Sequence, residues 1–218
     1  MENGIKKNLL PANGTHWKKW YVPLEEENAT IRECLATQAP VAAGSADIPL
    51  IVRLIENPKF DIPGINLFNG AVSLEDHDVI HLLLGRGMLP KDEAFVIGFT
   101  MGSSNRMSTA EKKMYAFAAK YLYPGPYKFS DDDIAVFKKA AHLGYVSDCQ
   151  PLDTINCAEL MDLSLKEARQ RVGIEPDLLA AYYQIESQRF SQFEECLRIT
   201  PQGRAKLEEQ INAEKLAG

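Results

Sequence analysis

Four side chains suited to metal binding or proton transfer stand close together in this chain. His77, Asp78, His81 and Glu93 are spaced as H-D-x-x-H, with eleven residues between His81 and Glu93. On a helix, His77 and His81 stack one turn apart on a single face. Asp78 then lies about 100° round the axis from His77 and roughly 60° from His81, so the three heads can converge beside the helix. Glu93 opens a second run, Glu93-Ala-Phe-Val-Ile-Gly-Phe-Thr-Met101, too apolar to face water. Buried imidazoles and carboxylates need partners, and one divalent cation would satisfy all four. This donor set suits zinc first, with iron, manganese, cobalt or magnesium as alternatives, and the lack of a cysteine argues against a closed structural zinc site. Glu93 can instead stand one layer out, bonded to a ligand histidine. A plainer reading makes both histidines satisfied core residues and pairs Glu93 with a buried Arg or Lys. The adjacent Asp78 and the apolar flanks of Glu93 favour the metal.

The elements that must position these residues are helical. Ser73 caps the first, with Asp76 in the reciprocal place; Gly85 and Gly87 end it, and Pro90 starts the next. Gly98 and Gly102 are spaced to admit a neighbouring helix or a ligand, and close helix packing is the default. Upstream, helices are expected over Leu24–Thr37 and Asp47–Glu56, with loops over 39–46 and 57–72. Downstream, Ser108–Leu122 is a strong helical pattern. Ser130 caps a helix that carries Asp131, Asp132 and Asp133 in its first turn, buries Ile134, Phe137 and Ala141, and stops at Gly144. A short helix over Asn156–Leu163 follows, then Ser164–Val172 with a Ser164/Glu167 capping box and Gly173 as its stop. Pro176–Phe190 and a charged Pro201–Gly218 complete the set. No stretch alternates long enough to require a sheet.

The expected architecture is all-α: a single-domain multi-helix bundle with an apolar groove beside a metal site. Residues 1–22 form an N-terminal arm bearing Trp17, Trp20 and Tyr21, which pack on the body in the commoner case. Residues 23–200 form the helical metal- and lipid-binding domain, and 201–218 a charged helix or tail. The groove is expected along Val79–Leu84 and Phe95–Met101, which are apolar round most of both helices. Gly98, Gly102, Ala116, Ala118 and Ala119 leave room along it, and Arg86, Lys91 and Arg106 lie where a carboxylate or phosphate head would sit.

Composition narrows the function classes. The chain has 218 residues, 45% hydrophobic and 25% charged, enough for one sizeable core. Its net charge of −6 disfavours nucleic acid as a partner. Cys34, Cys149, Cys157 and Cys196 have no metal-ligand or disulfide spacing and read as free thiols of a reducing compartment. Met1–Leu10 has no apolar run of a secretory signal, and a cytoplasmic protein, at most peripheral on an inner membrane, is expected.

At His77, Asp78, His81 and Glu93 the sequence resembles the ubiquinone (coenzyme Q) biosynthesis protein family, the fourth of the Coq set. Glu159-Leu-Met-Asp-Leu-Ser-Leu-Lys-Glu-Ala-Arg-Gln-Arg-Val-Gly-Ile174 resembles that family's closing segment, and the two matches span much of residues 45–180. The resemblance implies an all-helical fold, a divalent metal on the four motif residues and an apolar groove for a polyprenylated ring. It also implies association with other quinone-synthesis proteins at a membrane; a homodimer is a separate candidate assembly. The implied chemistry is a lyase reaction, removal of the ring carboxyl at C1 of a polyprenyl hydroxybenzoate, with or without hydroxylation at that carbon.

Two readings compete with this enzyme. One is an isoprenoid-binding or scaffold protein of a quinone-synthesis complex, in which the metal only orders the chain. The other takes His77-Asp78 as a phosphohydrolase doublet, but only His16 and His142 remain to complete it and neither has a helpful context.

Overall fold

The computed structural model describes residues 9–39, 74–104 and 129–217. Within them the chain forms eight α-helices: α1 Ile31–Ala36, α2 Leu74–Leu84, α3 Pro90–Ser103, α4 Asp131–Val146, α5 Leu165–Val172, α6 Pro176–Arg189, α7 Glu194–Leu197 and α8 Pro201–Ala217. Two 3-10 turns, Leu152–Thr154 and Cys157–Glu159, lie between α4 and α5. The fold is all-α, and the described residues contain no strand, only isolated bridges such as Thr30 with Ser164. No described helix is long and apolar enough to cross a membrane. The expected helices over Asp47–Glu56 and Ser108–Leu122, the Ser73 cap, the loops from Pro40 to Val72, Arg106, Ala116, Ala118 and Ala119 lie outside the described residues.

Local chemistry explains most of the helix starts. Ser130 and Ser164 each cap the helix that follows and receive the reciprocal carboxylate, Asp133 and Glu167. Pro90 and Pro176 open α3 and α6 at positions where a missing N–H costs nothing. Gly85 ends α2 with φ of 63°, and a Cβ there would also lie 2.9 Å from the Leu24 backbone.

The tightest helix pair is α3 with α4, and glycine makes it possible. A Cβ on Gly98 would lie 2.5 Å from the Phe137 carbonyl oxygen, and one on Gly102 would lie 2.2 Å from that of Ala141. Gly144 of α4 meets the Phe99 carbonyl oxygen in the same way, at 2.2 Å. Backbones thus touch along a seam of small residues. The room expected for a lipid along Gly98 and Gly102 is filled by α4, so no groove opens there. Gly144 also does not end its helix. It is a packing residue inside α4, which runs on to Val146.

Two other expectations are corrected. Only Ile31–Ala36 of the expected Leu24–Thr37 helix is helical, started by a Thr30/Glu33 capping box. The backbone ahead of it is committed elsewhere: the Glu27 and Ala29 carbonyls accept from Lys166 and Leu165, and the Glu26 side chain accepts from Asn28 and Ala29 N–H. Residues 24–29 therefore run beside the 161–166 segment instead of coiling. Asn156–Leu163 is likewise mostly turn, helical only as the 3-10 turn Cys157–Glu159.

Trp20 is fully buried, its indole N–H donating to the Thr37 hydroxyl at 2.9 Å, so the end of the expected arm belongs to the core. None of the four cysteines is in a disulfide, and all are buried. Helix α8 is the opposite case, exposed along most of its described length.

Candidate metal centre

Helix α2 presents His77 and His81 one turn apart, as their spacing demands, with ring centroids 4.4 Å apart. The turn through Gly85 and Met88 then reverses the chain, and Pro90 starts α3 so that Glu93 falls in its first turn, facing the imidazoles. His77 Nε2 lies 3.1 Å from His81 Nε2. Glu93 Oε2 lies 3.4 Å from the first nitrogen and 3.6 Å from the second. All three residues are 0–1% exposed.

The outward nitrogens differ in what stands behind them. His81 Nδ1 is 2.6 Å from the Gly87 carbonyl oxygen, which can only accept, so Nδ1 carries the proton and Nε2 presents its lone pair. His77 Nδ1 has the Asp78 carboxylate behind it at 3.7 Å, an ion-pair distance without a hydrogen bond. Asp78 is thus not among the three donors that converge; it stands on the far side of the His77 ring.

Electrostatics follow from this crowding. Burial alone would push the His77 imidazolium toward losing its proton, but Glu93 and Asp78 outweigh it and hold the pKa up at about 9. Burial would raise the Glu93 carboxyl, and His81 and His77 together override it, holding the pKa down at about 2. A proton on His77 Nε2 reconciles two imidazoles and a carboxylate in one small volume. Even so, both Glu93 oxygens and His77 Nδ1 lack a hydrogen-bond partner. Orphaned buried polar atoms are costly, and a cation at the meeting point of the two Nε2 atoms and Oε2 would engage the Glu93 carboxylate. His77, His81 and Glu93 fit a divalent metal: their donor atoms lie within 4.8 Å of one another. Two imidazoles and one carboxylate are a set that zinc and ferrous iron both take with positions left open.

The other residues singled out in the sequence have partners within the protein. Arg86 is fully buried, paired through both terminal nitrogens with Glu186 at 2.8 and 2.7 Å, and its guanidinium stacks 3.9 Å from the Phe95 ring centroid. Lys91 donates to Asp133 at 3.0 Å. Asp92, next to Glu93, binds the Arg198 guanidinium and lies 3.8 Å from that of Arg86. Gly98 and Gly102 face α4. Of the second charged cluster, sequence reasoning singled out Arg86 alone and missed Asp92, Glu186 and Arg198. A signal for Glu186 existed: it shares the buried side of α6 with Leu179 and Tyr183, where a carboxylate needs a buried cation.

Compared with family models, with curated proteins and with solved structures, the chain matches none.

Proposed function

We propose that this chain is a metal-dependent enzyme of ubiquinone-type biosynthesis, a lyase that removes the C1 carboxyl of a polyprenyl hydroxybenzoate, with or without hydroxylation of that carbon. The observation that carries the reading is the convergence of His77, His81 and Glu93. The α2–α3 reversal carries Glu93 across the eleven intervening residues to the two histidines and makes the three a shared donor set. When bound there, a zinc or ferrous ion supplies Lewis acidity toward a carboxylate or phenolate oxygen. Glu93, His77 and His81 would hold the ion, the Gly87 carbonyl keeps His81 in the tautomer that can ligate, and Asp78 stands behind the His77 ring. The substrate class rests on the resemblance at these residues, as do partnership with other quinone-synthesis proteins and a peripheral place on the cytoplasmic side of a membrane.

One observation favours a second reading. Ligands exposed by 1% or less suit an ion that orders a lipid-binding scaffold without turnover. Elemental analysis of the purified chain, with mass spectrometry of extracted lipid and a carbon dioxide release assay on a polyprenyl hydroxybenzoate, separates the two. The enzyme predicts about one metal per chain and release that His81→Ala abolishes together with the metal. Bound metal and lipid without release would leave the scaffold. Equal metal in wild type and His81→Ala would remove the centre.

A further inference from the structure

The 159–174 segment singled out in the sequence has no part in the donor set, yet it sends one side chain to the helix that carries His77 and His81. Arg169 lies on the apolar side of α5 with Leu165, Ala168 and Val172, and it is 1% exposed. Its guanidinium donates from Nε to the Leu83 carbonyl at 2.9 Å and from Nη2 to the Leu82 carbonyl at 3.1 Å. Nη1 donates to the Leu24 and Glu26 carbonyls at 2.8 and 2.9 Å. Every acceptor is a neutral carbonyl. A buried charge without a carboxylate is expensive, and here it sits on the negative end of the α2 dipole, where a cation belongs.

The rest of that helix end is closed as well. Arg86 N–H donates to the His81 carbonyl at 2.9 Å, Gly85 N–H donates to that of Leu82 at 3.2 Å, and the Tyr183 hydroxyl donates to that of Leu84. All four carbonyls of the last turn, normally orphans that fray, have donors. His81 belongs to this turn, and its Nδ1–H depends on the Gly87 carbonyl just beyond it. We infer that Arg169 is the positioning residue of the metal centre: by tying the Leu82 and Leu83 carbonyls to the Leu24–Glu26 backbone it fixes the last turn of α2, and with it the His81 tautomer that aims Nε2 at Glu93. Lysine can do this only in part, because a point ammonium lacks the planar fork that reaches four carbonyls. The effect on metal rests on the proposed function; the effect on the tautomer does not.

The test uses the full chain with nitrogen-15-labelled histidine, in wild type, Arg169→Gln and Arg169→Lys. Before any metal is added, nitrogen shifts should show His81 in wild type as one tautomer, protonated at Nδ1. Arg169→Gln should show a mixture of both tautomers, and Arg169→Lys an intermediate. Cobalt(II) titration should then give dissociation constants raised about 10- to 100-fold in Arg169→Gln, the range for losing a group that orients a ligand, and less in Arg169→Lys. If Arg169→Gln does not fold, Arg169→Lys keeps charge and bulk and still reads both quantities. Folded variants that keep a single tautomer and bind cobalt within twofold of wild type would overturn the inference. A wild type that takes no cobalt would overturn the metal reading, while the tautomer comparison still decides the role of Arg169.

Discussion

Two buried polar clusters share α2, α3 and the turn between them, and they close in different ways. The Arg86, Asp92, Glu186 and Arg198 cluster is an internal ion network: guanidiniums meet carboxylates through hydrogen bonds to Glu186 and Asp92, although Asp92 Oδ1 and the Arg86 and Arg198 Nε atoms have no hydrogen-bond partner. The His77, His81 and Glu93 cluster aims two imidazole nitrogens and a carboxylate at one point and leaves both Glu93 oxygens without a hydrogen bond. Both clusters are buried, Arg198 being the most exposed member at 5%. What separates a scaffold from a candidate ligand site is therefore the direction of the donors: the first cluster points at itself, the second at a common point between its members. A second contrast follows. Arg86 cannot shed its charge, whereas His77 can.

The largest effect should come from the network. Glu186→Ala strands the Arg86 guanidinium in the core and should cost about 3–5 kcal/mol in denaturant unfolding. Glu93→Gln should cost clearly less without metal, because His77 can release its proton when its partner is lost. Equal losses would erase the distinction between the clusters.

pH sharpens the same contrast. The His77 pKa is raised from 6.5 to about 9, so its contribution to the stability of the metal-free fold is full below 6.5 and is lost as pH rises through about 9. Glu93, lowered from 4.5 to about 2, contributes above 4.5 and loses its contribution as pH falls through about 2. A metal must displace the His77 proton, so its apparent dissociation constant should fall about tenfold per pH unit on approach to that pKa. Competition titrations at several pH values between about 6 and 8 measure the slope; a flat line would mean that His77 is not a ligand.

A smaller change is expected at Asp78. As a group behind the His77 ring, its replacement in Asp78→Asn should weaken metal binding about tenfold, the low end for an orienting partner. The cobalt absorption spectrum of the loaded variant should keep the wild-type band positions. A changed spectrum would make Asp78 a direct ligand.

What was legible in the sequence was what local chemistry decides. The Ser130/Asp133 and Ser164/Glu167 boxes, the proline starts of α3 and α6 and the histidine face of α2 each depend on residues within one turn of each other. Glu93 was found at longer range because an acid in an apolar run needs an explanation. The Arg86–Glu186 and Arg198–Asp92 pairs span 100 and 106 residues, and no local pattern ties one partner to the other. The 24–29 segment misled for a related reason: its acids suit a helix start, but the carbonyls there are claimed by Arg169, Lys166 and Leu165. The paired glycines gave the close approach correctly and its occupant, α4, only in the structure.

The near-zero exposure of His77, His81 and Glu93 has a consequence in time. An ion seated among these buried side chains would be released by a local parting of α2 and α3. Escape then follows the frequency of a local opening. An excess of chelator would strip the protein at a rate that stops rising with chelator concentration. The ceiling is the opening rate itself. The Gly98–Gly102–Gly144 seam, which locks α3 to α4, would slow that clock, and loosening it would shorten the residence of an ion that none of those glycines touches.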